Sequence, residues 1–440
     1  MHNSSPYRLC LNRTGLAVCL LLANLAAPIS HAESLLTIQI TRGLSSAIAL
    51  SVVPFAGQGP SPVDVAAVID ADLARSGRFS TLPRTDQPQS PSTAATVDVA
   101  QWRLLKMDYV VVGRLVTKGE ALELQFDVVN SQTGARLLGY SLPTNASSLR
   151  LAGHRAADLI YEKILGVPGA FSTRIAYVSL EGAFTARHWK LVVADSDGEN
   201  AKVILDSVEP IMSPAWSPDG ARLAYVSFEG RNSAVYVQTV ASGQRDRVSG
   251  RAGINGAPAW SPDGSKLALT LSQADGNLDI FVMDLASRSL ARMTDDPAID
   301  TEPCFSADGQ TVYFTSDRSG RPQIYRMSLA GGKAQRVTFE GNYNARARLS
   351  VDGKSMAVVT QEGGGYRIGW VDLASGQLRV LSQGTLDVSP SIAPNGQNVM
   401  FSAREAGHGV LATVSTDGSV ATRINARAGD VREPAWSPLL

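Results

Sequence analysis

The chain is poor in the residues that most often carry chemistry. It has 3 cysteines and 5 histidines in 440 residues, and no surplus of charge of either sign. The 40 Lys and Arg balance 40 Asp and Glu, so nothing electrostatic points to nucleic acid or to an anionic membrane surface. Cys10 and Cys19 both lie near the start, and Cys304 is left without a partner for an internal disulfide. His154, His188 and His408 are scattered, with no second histidine or acid at metal-ligand spacing, so neither a metal nor any other cofactor is expected. Gly-x-Ser-x-Gly, Gly-x-Gly-x-x-Gly and P-loop patterns are missing, which removes the local signals of a serine hydrolase, a dinucleotide enzyme and a nucleotidase. Beyond the N-terminus there is no apolar run long enough for a membrane span.

What is present begins with a processing signal. Arg8 and Arg13 precede an apolar run at residues 16–27 that is too short to cross a bilayer as a helix. No acid occurs before Glu33, and Ser30-His31-Ala32 is a small-x-small cleavage site. Residues 1–32 are therefore expected to be a removed signal peptide. The mature chain would then carry 38 basic residues (40 less Arg8 and Arg13) against 40 acidic ones. Lipidation at Cys19 is disfavoured, because Val18 stands where a small residue is needed.

The second half repeats. Pro214-Ala215-Trp216-Ser217-Pro218-Asp219-Gly220 returns as Pro258-Ala259-Trp260-Ser261-Pro262-Asp263-Gly264 and Pro303-Cys304-Phe305-Ser306-Ala307-Asp308-Gly309. Weaker copies begin at Ala347 and Pro390, and Pro434-Ala435-Trp436-Ser437-Pro438 ends the series; successive spacings are 44, 45, 44, 43 and 44 residues. The Pro-Asp-Gly end is turn chemistry. Two apolar strands and a short charged one follow each copy, which describes a four-stranded propeller blade. Residues 174–205 supply three strands without a first, and residues 434–440 supply a first strand without the rest. Joined, they complete a six-bladed β-propeller over residues 174–440, shut by the C-terminal strand.

Residues 33–165 lack the repeat and read as an α/β domain, with residues 166–173 as linker. Residues 36–41 and 47–54 look like strands. Ser61-Pro62-Val63-Asp64 looks like a helix start with Ser61 as N-cap, and Val65, Ile69 and Leu73 share its buried face. Residues 83–96, rich in Pro, Ser and Thr, are expected to form a mobile loop. A short helix near residues 99–105, three strands and a helix over residues 149–165 complete the domain.

Together these blocks resemble the TolB family of the Tol-Pal system. The resemblance rests on Val52-Val53-Pro54-Phe55, on residues 71–79 and 169–178, on Thr315-Ser316-Asp317-Arg318-Ser319-Gly320, and on the terminal Pro434-Ala435-Trp436-Ser437-Pro438. It implies a monomeric, non-enzymatic periplasmic adaptor that supports outer-membrane integrity, division and bacteriocin import. It implies that the propeller receives the lipoprotein Pal on loops just before each repeat: Met212, Ser213, Asn255, Gly256, Ala257, Thr301, Glu302, Asp387, Arg432 and Glu433. Ile254 stands where the family pattern favours a polar residue or histidine. It further implies that TolA binds the first mature residues, Glu33, Ser34, Leu35, Leu36, Thr37, Ile38, Gln39, Ile40, Thr41, Arg42, Gly43 and Leu44, and that the two events are coupled. Other outer-membrane proteins are further expected partners.

Several residues have competing readings. Trp216, Trp260 and Trp436 recur in register and read as knobs between blades rather than ligand-stacking aromatics. The repeated Asp-Gly aspartates read as turn formers rather than Ca²⁺ ligands. Asp295, Asp296, Asp300 and Glu302 form either a solvated loop or an acidic docking rim. Cys304 occupies a slot held elsewhere by Ala or Ser, and reads as a buried inert thiol. The alternative function is a propeller hydrolase or lyase with an acidic site in the funnel, supported by Asp300, Glu302, Asp387 and Glu433.

Overall fold

The computed structural model describes residues 38–40, 47–57, 63–119, 121–183, 186–424, 426 and 429–439, with backbone alone at residues 38–40. The expected signal peptide and residues 33–37 and 41–44 of the expected TolA segment lie outside these. In chain order the first elements are β1 (Ile38–Ile40), β2 (Ile48–Val52), α1 (Val65–Arg75), β3 (Phe79–Thr81) and α2 (Val99–Leu104). They are followed by β4 (Tyr109–Lys118), β5 (Ala121–Asn130), β6 (Arg136–Thr144) and α3 (Leu149–Leu165). No helix among the described residues is long and apolar enough to cross a membrane.

The α/β domain is one mixed sheet in the order β3-β2-β4-β5-β6. β2 runs parallel to β3 and β4, and β4-β5-β6 is an antiparallel meander. Val65, Ile69 and Leu73 of α1 and Ala156, Ile160 and Tyr161 of α3 pack on Leu50, Val52, Val111 and Phe126. Gly153 lets the two helices approach: a Cβ there would lie 3.0 Å from Val68. The opposite face is covered by Trp102 of α2 against Val53, Val110 and Val112.

Three expectations change here. Asp64, not Ser61, caps α1: its Oδ1 accepts the Ala67 N–H at 3.0 Å, while Ser61 lies outside the described residues. An aspartate at this position satisfies an orphan N–H and favours the helix dipole, so the helix starts later than the Ser-Pro pair suggests. Residues 83–96 are tethered rather than loose. Gln87 donates to the Val52 carbonyl at 2.9 Å, and the Ala94 N–H donates to Asp127 at 2.9 Å. The third concerns β1, which does not join this sheet. It pairs antiparallel with Val420–Ile424, Ile38 opposite Thr422, and becomes a fifth strand on the outer edge of a blade.

The rest of the chain forms six radial sheets. Blade one is composite: Asp430–Trp436 pairs with Arg174–Glu181, followed by His188–Asp195 and Lys202–Ser207. Blades two to six run over residues 211–249, 255–292, 300–336, 344–380 and 388–424.

The repeated motif does three jobs. In blade two the Ser217 hydroxyl donates to Asp219, and the Ala221 and Arg222 N–H groups donate to Asp219 and Ser217 at 3.0 and 2.9 Å. Ser261/Asp263, Ser306/Asp308 and Ser350/Asp352 repeat this, and the serine hydroxyls hold all four carboxyls below the usual aspartate range. These aspartates close turns. Next, Trp216 wedges between blades and donates its indole N–H to the Ala435 carbonyl at 3.0 Å; Trp260 does the same to Ala215 at 3.0 Å. Arg174 and Arg222 cover the two rings at 5.0 and 4.6 Å. Finally, the proline sits in a β-bulge, where its missing N–H removes no ladder bond.

Trp260→Ala should cost about 3–5 kcal/mol, because it removes a buried wedge and strands a carbonyl between two blades. Denaturant unfolding measures this. A midpoint equal to that of the unmodified protein would show that the wedge does not hold neighbouring blades together.

Candidate functional site

The bulges define one mouth of the propeller. In each blade the register slips within the innermost strand, between Met212 and Ala215, Gly256 and Ala259, Thr301 and Cys304, Ala345 and Arg348, Val388 and Ser391, and Arg432 and Ala435. The extra residue adopts left-handed backbone: Ser213, Ala257, Glu302, Arg346, Ser389 and Glu433 have φ of 52°, 45°, 54°, 55°, 58° and 51°. A non-glycine residue there costs on the order of 1 kcal/mol. Six such residues at equivalent positions, backed by sheet pairing, form a preset ring.

The ring is cross-linked between blades. Arg346 Nε lies 2.8 Å from Glu302, its Nη2 lies 3.8 Å from Glu433, and its Nη1 donates to Ser389 at 2.5 Å. Glu433 also accepts the Ser213 N–H. Thr315 donates to Glu302 at 3.2 Å and accepts the Arg346 N–H at 3.0 Å. Burial opposes the Arg346 charge, but Glu302 and Glu433 outweigh it and raise its pKa further. Arg346 and Ser389 were not among the sequence-derived candidates. Counting back one residue from Ala347 and Pro390, as for the other repeats, would have found them.

The remaining candidates divide. Met212 is exposed, Gly256 and Thr301 are half-buried, and Arg432 pairs with Asp430 at 2.7 Å. Asn255 and Asp387 instead lie two residues before the ring and are 0% and 2% exposed. Asn255 accepts from Ser249 at 2.6 Å and donates to the Arg251 carbonyl at 2.8 Å; Asp387 accepts the Gly384 N–H at 2.8 Å. They clasp loops from inside. The expected acidic rim also divides, since Asp300 is buried and held by Arg318 at 2.7 Å, while Asp295 is exposed. The four funnel carboxylates therefore do not converge: Asp300 and Asp387 are buried in separate contacts, and Glu302 and Glu433 are bound by Arg346. Cys304 is buried, and burial pushes its thiol up to about 11.

One cluster runs against the expectation for the histidines. Folding brings Asp72 of α1, His154 of α3 and Asp197 of a blade-one turn within 4.8 Å of one another. His154 Nδ1 lies 2.6 Å from Asp72, and Arg75 lies 2.8 Å from the same carboxylate. Arg150 pairs with Asp197 and lies 3.4 Å from Asp195. Two arginines and a protonated imidazole already balance these acids, so the arrangement is an ion-pair network joining the α/β domain to the propeller, not a metal cage. Burial disfavours the imidazolium, but Asp72 and Asp195 override it and raise His154 to about 9.

Fold and mouth define a two-domain protein, an α/β domain followed by a six-bladed propeller with a ring of left-handed residues at one mouth. Two family models match: the TolB amino-terminal domain over residues 36–137 and the TolB beta propeller domain over residues 161–440. The chain is 50% identical over 409 residues to the Tol-Pal system protein TolB of Xanthomonas campestris pv. campestris strain B100, covering 92% of this chain and 93% of that one. The TolB of Xanthomonas oryzae pv. oryzae strain MAFF 311018 matches equally, 50% identical over 92% of this chain and 93% of that one. The crystal structure of TolB from Acinetobacter baumannii superposes with a TM-score of 0.85 at 39% identity, covering 92% of this chain and 100% of that one. The chain belongs to the TolB family. It is accordingly a component of the Tol-Pal system, the system for which its relatives are named.

Because the folded protein holds the His154 proton more tightly than the unfolded chain, its stabilisation is full below the ordinary value of 6.5 and is lost as pH rises through about 9. The unmodified protein should lose on the order of 2–3 kcal/mol more stability than His154→Gln between pH 6 and pH 9.5. Denaturant midpoints across that range test this, and parallel pH profiles would contradict it.

Proposed function

We propose that this protein is a periplasmic adaptor that receives Pal at the propeller mouth and TolA through residues 33–44. The observation that carries the reading is the ring of six left-handed residues at one mouth, in a chain of the TolB family. A rigid ring loses little conformational freedom when a convex partner docks, so its contacts are not spent on ordering loops. Met212, Ser213, Gly256, Ala257, Thr301, Glu302, Arg432 and Glu433 form the contact surface, joined by Arg346 and Ser389; Asn255 and Asp387 shape it from beneath. Export by the signal peptide at residues 1–32 delivers the chain to the periplasm.

The N-terminal strand suits a segment that changes partners. Three paired residues on a blade edge make few backbone hydrogen bonds, and such a strand opens at low cost compared with a core strand. A neighbouring protein can then take it by strand addition. Val420, which pairs with Ile40, also packs under Gly77 just after α1, where a Cβ would lie 2.5 Å from its methyl group. The blade edge that holds the strand is therefore in contact with the α/β domain, which supplies a physical route for coupling the two binding events.

Glu302→Arg should break the Arg346 contact and weaken Pal binding at least about tenfold while the protein stays folded; Ala257→Trp should do the same by bulk. Pull-down with purified Pal, alongside thermal melts, reads both. Deleting residues 33–44 should abolish TolA binding and spare Pal. Unchanged Pal capture by both point variants would remove the mouth from the account, and retained TolA capture by the truncated chain would remove the N-terminal segment.

A further inference from the structure

The mouth is uneven around its axis. Its charged ring residues are paired with one another: Glu302 and Glu433 share Arg346, and Asp430 pairs with Arg432 at 2.7 Å. A partner approaching these groups has to replace contacts already made. The side of blades two, three and four is different. Met212, Ile254 and Ile299 are 38%, 50% and 49% exposed. The two isoleucines hold the same place in their blades, three residues before the left-handed Ala257 and Glu302. The Ile254 N–H donates to the Ser272 hydroxyl at 2.7 Å, and the Ile299 N–H donates to Asp317 at 2.9 Å. The backbone beneath each exposed side chain is therefore fixed. At this place the other blades carry Pro210, Tyr343, Leu386 and Asp430, all half-buried, and Tyr343 packs edge-on against Tyr366 at 5.2 Å. Among the described residues, only blades three and four expose an aliphatic side chain here. Beside Ile254, a Cβ on Gly256 would meet only the Ile254 side chain, at 3.9 Å, so the space above Gly256 is open.

We propose that Ile254 and Ile299, flanked by Met212, form an apolar anchor seat, and that an aliphatic or aromatic side chain of the protein docked on the mouth packs against them over Gly256. What a contact gains there selects the occupant. Exposed apolar surface gains free energy in proportion to the area buried, with no earlier partner to replace. A charge set against two isoleucines loses hydration without gaining a counter-charge. The exposed charges in the two loops, Arg251 and Asp295, are opposite in sign, and Asp296 already faces Arg318 at 3.7 Å, so net charge favours neither sign of partner. A few well-placed anchors carry most of the energy of a typical protein interface, and a seat whose backbone is already fixed loses little freedom on docking. The seat is continuous with the ring, since Ile254 and Ala257 belong to one loop. It lies off the propeller axis, on the side of blades two to four, so an anchored partner has one rotation about that axis. This inference deepens the docking reading above and rests on it.

The test titrates purified Pal calorimetrically, at several temperatures, into the full mature protein and into Ile254→Ser and Ile299→Ser. Val351→Ser serves as control, because Val351 is 65% exposed in a Ser-x-Asp-Gly turn outside the mouth loops. Both isoleucine variants should keep the melting temperature of the unmodified protein, bind Pal at least about tenfold more weakly, and show a less negative heat-capacity change on binding. Val351→Ser should bind as the unmodified protein does. Equal Pal binding by the unmodified protein and both isoleucine variants overturns the seat and leaves the docking reading standing. A loss in Val351→Ser as large as in the isoleucine variants overturns it too. If Pal does not bind the unmodified protein, the docking reading fails and the seat falls with it. Sedimentation of the same proteins covers the other occupant: self-association that the isoleucine variants lose, with Pal binding unchanged, would assign the seat to a second copy of this chain and overturn the proposal.

Discussion

The structure depends on the pairing of its last strand with the first strand after the linker. Asp430–Trp436 lies antiparallel to Arg174–Glu181, with Val431 opposite Ser179 and Trp436 opposite Ile175. The join is reinforced past the ladder. The Ser437 N–H donates to the Arg174 carbonyl at 2.8 Å, the Arg174 N–H returns to the Ser437 hydroxyl at 2.9 Å, and the Trp436 indole reaches Thr173 at 2.7 Å. Bringing such distant segments together carries a loop-closure cost that grows only logarithmically with length. In return, blade one gains its innermost strand and no inner edge is left unpaired.

Closure also builds the mouth. Glu433 lies on the closing strand and links blade one to Ser213 of blade two and Arg346 of blade five. Ala435, two residues on, accepts the indole N–H of Trp216. The strand that shuts the ring thus supplies one of six ring residues and the seat of a wedge. Ring closure and the mouth share these residues, so a loosened closure would alter the mouth before it unfolded the domain. The His154 network plays a similar part at the other join, where largely buried charges from α1, α3 and a blade-one turn meet.

The propeller was largely legible in the sequence because its signals are local. Ser-x-Asp-Gly turns, a buried Trp and a bulge proline all act within a few residues, and they recur at a constant spacing. Blade count and the composite blade followed from that spacing alone. The finer site was less legible. Asn255 and Asp387 stand beside ring residues in sequence, but strand alternation and the loop turn their side chains inward, which depends on tertiary context. Arg346 and Ser389 were hidden by the weaker repeats that follow them. The His154 cluster joins positions 72, 154 and 197, which no spacing rule connects, and nothing local tells that β1 pairs with blade six, because its pattern fits any edge strand.

The most direct test of the central claim is the thermal and denaturant unfolding of a chain ending at Gly429. Without the closing strand, blade one has lost its innermost strand and Trp216 its acceptor. The propeller should then melt at least about 10 °C lower and over a broader transition, with near-complete loss of Pal binding. A cooperative transition at the temperature of the full chain would show that the ring stands without its C-terminal strand, and would contradict the account.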